Sequence, residues 1–261
     1  MMILRPLVIA AAPPSRLDRR PSASREPCGV LAPVTLDAAR AKIAAGFDYA
    51  PYARVGLASE GSFGPHPYIP FLPLSRELVL LIDRERGLEL TGYFASPETN
   101  YGHAVVSGIE AALAFAERSK FPEHGLVVMG CVDAEPAPGL ALVKDVVNHA
   151  ALEKAVCQVV GKCGAAFVEA DMRAHRNPTR MRAIGRAASD LVRRFHRTCP
   201  GCRHPGFDVT ERTGLPCEWC GLPTHVVRTE VLTCLACGYR EERLTTSAKT
   251  ADTQHCESCN P

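Results

Sequence analysis

Four CxxC pairs, Cys199/Cys202, Cys217/Cys220, Cys234/Cys237 and Cys256/Cys259, crowd the C-terminal part of this 261-residue chain. Two thiolates separated by two residues can face one tetrahedral ion from a single tight turn, and two such turns complete a four-thiolate site. Four turns therefore make two sites. The gaps of 14, 13 and 18 residues between pairs suit short hairpins and leave no room for a large apolar core. Residues 198–261 are thus expected to be a double zinc-ribbon-like module holding two Zn²⁺. Four thiolates leave no open position for water or substrate, so the expected role is structural. Disulfides would need an oxidising compartment, and a thioredoxin-like centre uses one CxxC rather than four in tandem.

Spacing alone leaves the partners of each pair open. Adjacent pairs can share an ion. A nested arrangement can instead gather Cys217, Cys220, Cys234 and Cys237 around a hairpin Thr224–Thr233. Cys28, Cys131, Cys157 and Cys163 lie outside the pattern, and the last three are expected to be buried thiols.

The rest of the chain has ordinary globular composition, with 46% hydrophobic and 22% charged residues. A formal net charge of +2 gives no chain-wide attraction for nucleic acid or membrane. Residues 1–34 hold six prolines and five arginines. Their apolar run Ile3–Ala12 precedes Arg16, Arg19 and Arg20, the reverse of a signal peptide. A disordered or misassigned leader and a cytoplasmic location are therefore expected.

Residues 35–197 alternate helical spacing with short apolar runs, which predicts an α/β domain with a mixed sheet flanked by helices. Thr35 is expected to cap a helix carrying Leu36, Ala39, Ile43 and Phe47. Strands are expected over 54–59, 77–83 and 88–95, the last two joined by the turn Arg84–Gly87. A helix is expected over 103–118, strands over 126–129 and 165–168, and a further helix over 150–160. The best-marked element is a helix from Pro178 to Arg197. Asn177 is its cap, and Met181, Ile184, Ala188, Leu191 and Phe195 form its apolar stripe.

The string ASEGSFGPHP at Ala58–Pro67, DMRAHRNPTRM at Asp171–Met181 and the four CxxC pairs ending in Cys-Asn-Pro resemble an uncharacterised bacterial family, a domain of unknown function. The resemblance implies an α/β domain followed by a zinc module. Residues 38–64 are also similar to the segment of inosine-triphosphatase-like nucleotide hydrolases in which an Ala/Arg-rich helix leads into a strand and an acidic, Gly-rich turn. That resemblance implies Mg²⁺-assisted hydrolysis of nucleoside triphosphates, with Glu60 on the metal and the N–H groups of Ser62 and Gly64 on oxygen. Such hydrolases carry an N-terminal strand and a phosphate-contacting turn where this chain has its Pro/Arg-rich leader, which implies an incomplete catalytic half.

Read without analogy, Ser59–Pro67 is either a stiff ligand loop containing Glu60, Ser62, Gly64 and His66 or a plain connection. Asp83 is either a carboxylate at a strand end or the first residue of a turn. Residues 171–203 carry nine arginines against two aspartates. Asp171, Arg173, Asn177 and Arg180 precede or open a helix, where N–H groups and guanidinium ions suit phosphate. Two readings stay open. One is a metal-assisted hydrolase with Glu60 and Asp83 on the metal and Arg173 and Arg180 on phosphate. The other is a zinc adaptor, for which a protein partner is favoured over nucleic acid because aromatic stacking platforms are scarce. Zinc binding is common to both.

Overall fold

The computed structural model describes residues 8–9 and 33–261, with side chains from residue 36 onward. The remainder of the expected leader, Cys28 included, lies outside the described residues. The chain forms two compact units, Met1–Asp190 and Leu191–Pro261.

The first unit begins with β1 (Val8–Ile9), α1 (Pro33–Tyr49), β2 (Val55–Pro65), β3 (Pro73–Asp83) and β4 (Leu88–Ser96). It continues with β5 (His103–Val106), α2 (Ile109–Arg118), β6 (Leu126–Val132) and β7 (Glu135–Val146). α3 (His149–Cys163), β8 (Ala166–Ala170) and most of α4 (Pro178–His196) complete it. Its strands make two four-stranded sheets rather than the one mixed sheet expected. The first has the order β1-β2-β3-β4, and the second β5-β8-β6-β7. Among the described residues of these sheets only the β1–β2 pair is parallel, so Val8–Ile9 supplies a short N-terminal strand where none was expected. Among the described residues, no helix is long and apolar enough to cross a membrane.

Each departure from the sequence pattern has a local cause. α1 starts at Pro33, because a proline in the first turn has no N–H to leave unpaired; Thr35 lies inside the helix rather than capping it. The expected helix over 103–118 divides into β5 and α2, since β5 pairs along its whole length with β8. β7 escapes the pattern because Pro136, Pro138 and Gly139 read as loop. It is an edge strand with irregular register against β6, which tolerates them. β2 runs on to Pro65, so most of the expected ligand loop is strand paired residue for residue with β3.

α4 is capped as expected: the Asn177 Oδ1 accepts from the Arg180 N–H at 2.9 Å. Its buried row shares only Leu191 with the expected stripe. Ala183, Ala187 and Leu191 are buried with Thr179, whereas Met181 is 49% exposed. Alanines carry too little hydrophobicity to mark a face, yet their small size lets a helix lie close to its neighbour. Among the described residues, the cysteines outside the pairs are Cys131, which is buried, Cys157, which is exposed, and Cys163, which is intermediate.

Among the described residues, three apolar clusters hold the first unit, the smallest being Val127, Met129, Cys131 and Phe167 on the second sheet. Ala39 and Ile43 of α1 pack with Ala58, Leu78 and Leu80 on one face of the first sheet. Phe115, Leu126, Val128, Leu152, Val156 and Val168 anchor the core between α2, α3 and the second sheet. The second unit is a three-stranded antiparallel sheet, in which β9 (Asp208–Pro216) and β11 (Arg240–Leu244) flank β10 (Pro223–Thr233). The expected hairpin over 224–233 is therefore a single strand. At Gly214 of β9 a Cβ would stand 2.0 Å from the Thr224 carbonyl oxygen of β10. Because that oxygen is backbone, it cannot swing aside. Gly214→Ala should destabilise the second unit by about 3 kcal/mol or more, read as a lowered unfolding midpoint in urea.

Candidate metal centres

The second unit brings its eight paired cysteines into two tetrads, Cys199/Cys202/Cys234/Cys237 and Cys217/Cys220/Cys256/Cys259. Within each, the four sulfurs lie within 4.8 Å of one another. Crossed Sγ pairs stand 3.6 and 3.7 Å apart in the first tetrad and 3.6 and 3.9 Å apart in the second. Metal–sulfur bonds of about 2.3 Å in a tetrahedron give an S···S edge of about 3.8 Å, so both tetrads are already sized for an ion.

The pairing is neither adjacent nor nested. First joins third and second joins fourth. One strand, not a hairpin, separates successive knuckles, and the antiparallel register sends them to opposite ends of the sheet. Asp208 of β9 lies opposite Thr233 of β10, beside the first tetrad, and Pro216 lies opposite Pro223, beside the second. At about 3.3 Å per residue the ends of β10 are roughly 30 Å apart, too far for neighbouring pairs to share an ion.

The knuckles repeat one backbone device. The N–H groups of Cys199, Cys217 and Cys234 donate to the carbonyls of His204, Leu222 and Tyr239. The N–H groups of Arg203, Gly221 and Gly238 return to the carbonyl of the first cysteine of each pair, and all three residues have positive φ. Asn260 donates likewise to Cys256. The first cysteine of every pair is buried and the second exposed. Burial pushes the Cys234 thiol up, but N–H groups of Cys237 and Ala236 and the Cys202 sulfur outweigh it and bring it down to about 6. Cys256 is brought down to about 7 against the same burial penalty by Cys259 and Ser258 N–H groups and the Cys220 sulfur. These thiols are prepared to ionise.

The other expected site residues lie in the first unit, and they do not form one centre. Successive side chains of a strand alternate between faces, and directly paired residues share a face. Glu60 pairs with Leu78, Ser62 with Arg76 and Gly64 with Leu74, so these three lie on the face that packs against α1. Glu60 is tied there to Lys42 of α1 at 2.6 Å. Asp83 pairs with Val55 on the opposite face, five residues along β2 from Glu60. It accepts from the N–H groups of Glu85 and Arg86 at 3.1 and 3.2 Å and is therefore a turn residue. The two carboxylates cannot meet on one metal. The Nδ1 of His66 is likewise spent locally, accepting from the Tyr68 N–H at 3.2 Å.

On the Asp83 face the structure assembles a cluster that the sequence did not suggest. Glu77 pairs with both Gly61 and Phe94 and is fully buried. Its Oε1 accepts from the Arg180 Nε at 2.8 Å, while Oε2 has no hydrogen-bond partner among the described residues. The Arg180 guanidinium also donates to the Met172 carbonyl and lies 5.2 Å from the centre of the Phe63 ring. Segments 59–67 and 171–180 thus do converge, through Gly61, Phe63 and Arg180, but Glu60, Ser62 and Gly64 are turned away. Asp171 is buried and accepts from the Arg173 Nη2 at 2.6 Å. Arg173 also reaches Asp145 at 3.0 Å. The guanidinium ions expected to meet phosphate are consequently held by protein carboxylates. Asn177, besides capping α4, donates to the Asn100 side chain at 2.8 Å.

His124 was also invisible in the sequence. It is fully buried, and its Nε2 lies 2.9 Å from the Thr179 hydroxyl and accepts from the Thr179 N–H at 3.3 Å. Burial lowers its pKa, keeping the ring neutral.

Burial pushes the Glu77 carboxyl up to about 7 in spite of Arg180. A carboxyl raised on folding contributes its stability below the unfolded value and loses it as pH rises through the folded one. Relative to wild type, Glu77→Gln should therefore gain stability as pH rises from about 4.5 to 7, by about 3 kcal/mol, and level off above. Urea unfolding of both proteins across that range checks it.

The family model described as Domain of unknown function (DUF6671) matches residues 45–261. No curated protein and no solved structure matches the chain. A match that runs from inside α1 through both cysteine tetrads means that this chain belongs to the DUF6671 family, an uncharacterised domain.

Proposed function

We propose that this protein binds two Zn²⁺ ions as structural centres, and that they support the fold of the second unit. The observation that carries this reading is the spacing of the sulfurs, 3.6–3.9 Å between crossed pairs, at both ends of a three-stranded sheet. All-thiolate tetrahedral donor sets suit zinc, and four thiolates complete its coordination. Eight thiolates and two Zn²⁺ together contribute four negative charges, so loading releases protons and weakens in acid.

A second reading, that the module is an adaptor for another protein, draws support from the knuckle tips. Trp219 and Leu235, each lying between the two cysteines of a pair, are 82% and 83% exposed. Exposed apolar side chains on a metal-stiffened turn suit a protein surface, and too few aromatic residues accompany them for base stacking. The Mg²⁺-dependent hydrolase reading draws no comparable support, because Glu60, Arg173 and Arg180 are each neutralised within the chain.

Metal analysis of the protein purified under reducing conditions should give two zinc ions per chain; one or none overturns the reading. Cadmium substitution tests the pairing. Cys202→Ser and Cys234→Ser should remove the same ¹¹³Cd resonance, and Cys220→Ser and Cys256→Ser the other. Loss of one shared resonance by Cys202→Ser and Cys220→Ser would instead establish adjacent pairing.

A further inference from the structure

The arginines of 171–203 are not equivalent. Arg173 and Arg176 are held by Asp145, Arg180 by Glu77, and Arg194 and Arg197 by Asp208. Arg186 has no carboxylate partner among the described residues; its guanidinium lies 5.8 Å from the centre of the Phe94 ring. It lines a groove of about 400 Å³ between β4 and α4, together with Phe94, Ser96, Thr179, Arg182 and Gly185. That volume falls in the range of small-molecule sites.

One turn away on the same helix, Arg182 reaches Glu98 at only 3.5 Å, with both side chains more than half exposed. Such a contact is weak and displaceable. The Thr179 hydroxyl accepts from Arg182 at 3.1 Å and is itself fixed from behind by the buried His124. Gly185 adds open space, since no heavy atom lies within 4 Å of the point where its Cβ would stand. The groove thus has one uncompensated cation, a second that a competing anion can free, an aromatic wall and an open floor.

We propose that this groove binds a small organic phosphate monoester, with Arg182 and Arg186 on the phosphate and Phe94 and the Gly185 floor against the organic body. Guanidinium groups four residues apart on a helix are neighbours and can grip the several oxygens of one phosphate. A carboxylate offers fewer acceptors to the same pair. Every residue lining the groove belongs to the first unit, and the site uses neither of the arginines expected from the sequence to meet phosphate.

The test is calorimetric titration of the full chain at low ionic strength with AMP and phenyl phosphate, and with adenosine as the uncharged control. Binding of at least one phosphate at millimolar concentration is expected, with none of adenosine. Arg186→Gln should weaken it about tenfold, the usual effect of losing one charge-assisted contact. Gly185→Leu, which fills the floor and favours the helix, should weaken it similarly without loss of folding. Glu98→Gln should tighten it a few-fold by removing the competing charge, a gain that a merely structural role for Arg182 would not produce. Lys154→Gln, an equal change of charge on α3, should leave it unaltered. Absence of binding by both phosphates, equal binding of adenosine, or indifference to Arg186→Gln and Gly185→Leu overturns the assignment.

Discussion

Four cysteine sulfurs within 4.8 Å of one another make a donor set that a cation completes, and the second unit is organised around two such sets. Its apolar cluster is small: Cys199, Phe207, Leu232 and Cys234, with Val209 beside them. Two of those four buried residues are themselves candidate ligands, so the core and the candidate metal centre are one structure. At the other end Cys217 bridges to Ala251, which draws the segment after β11 back towards the second tetrad. Cross-strand pairs such as Arg212–Glu230 at 3.0 Å and Arg240–Glu211 at 3.1 Å line the exposed sheet. Exposed pairs of this kind contribute little each.

Crossed pairing of the tetrads follows from strand geometry. A single antiparallel strand moves the chain from one end of a sheet to the other, so consecutive knuckles separated by one strand cannot meet. Knuckles separated by two strands must. The same topology gives each tetrad one pair from either side of a long excursion in sequence.

The first unit handles its charge differently. Instead of presenting an arginine face to solvent or ligand, it buries acids that consume the guanidinium groups, Asp171 with Arg173 and Glu77 with Arg180. A buried ion pair is costly to desolvate, which is why Glu77 is held near neutrality in its titration despite a 2.8 Å bond to arginine. Arg186 escapes this neutralisation, and that distinction cannot be drawn from the local charge of the segment.

What the amino-acid sequence determined by itself was chemistry bound to short spacing. The four CxxC pairs, the turn Arg84–Gly87, and the cap at Asn177 depend on residues a few positions apart, whose geometry the local backbone dictates. The tertiary structure decided which pairs share a centre, because that depends on strand count between knuckles, and the 224–233 segment reads equally well as a hairpin or a strand. It also decided the faces. Glu60 and Asp83 lie on opposite sides of one sheet because the residues between them on β2 and β3 alternate, and a one-residue slip in register would have exchanged them. Glu77 carried no signal, since a glutamate inside an apolar run is ordinary until the opposite strand is seen to place Gly61 beside it and α4 to supply Arg180. Long-range pairing is a property of the assembled sheet, and no spacing in the chain encodes it directly.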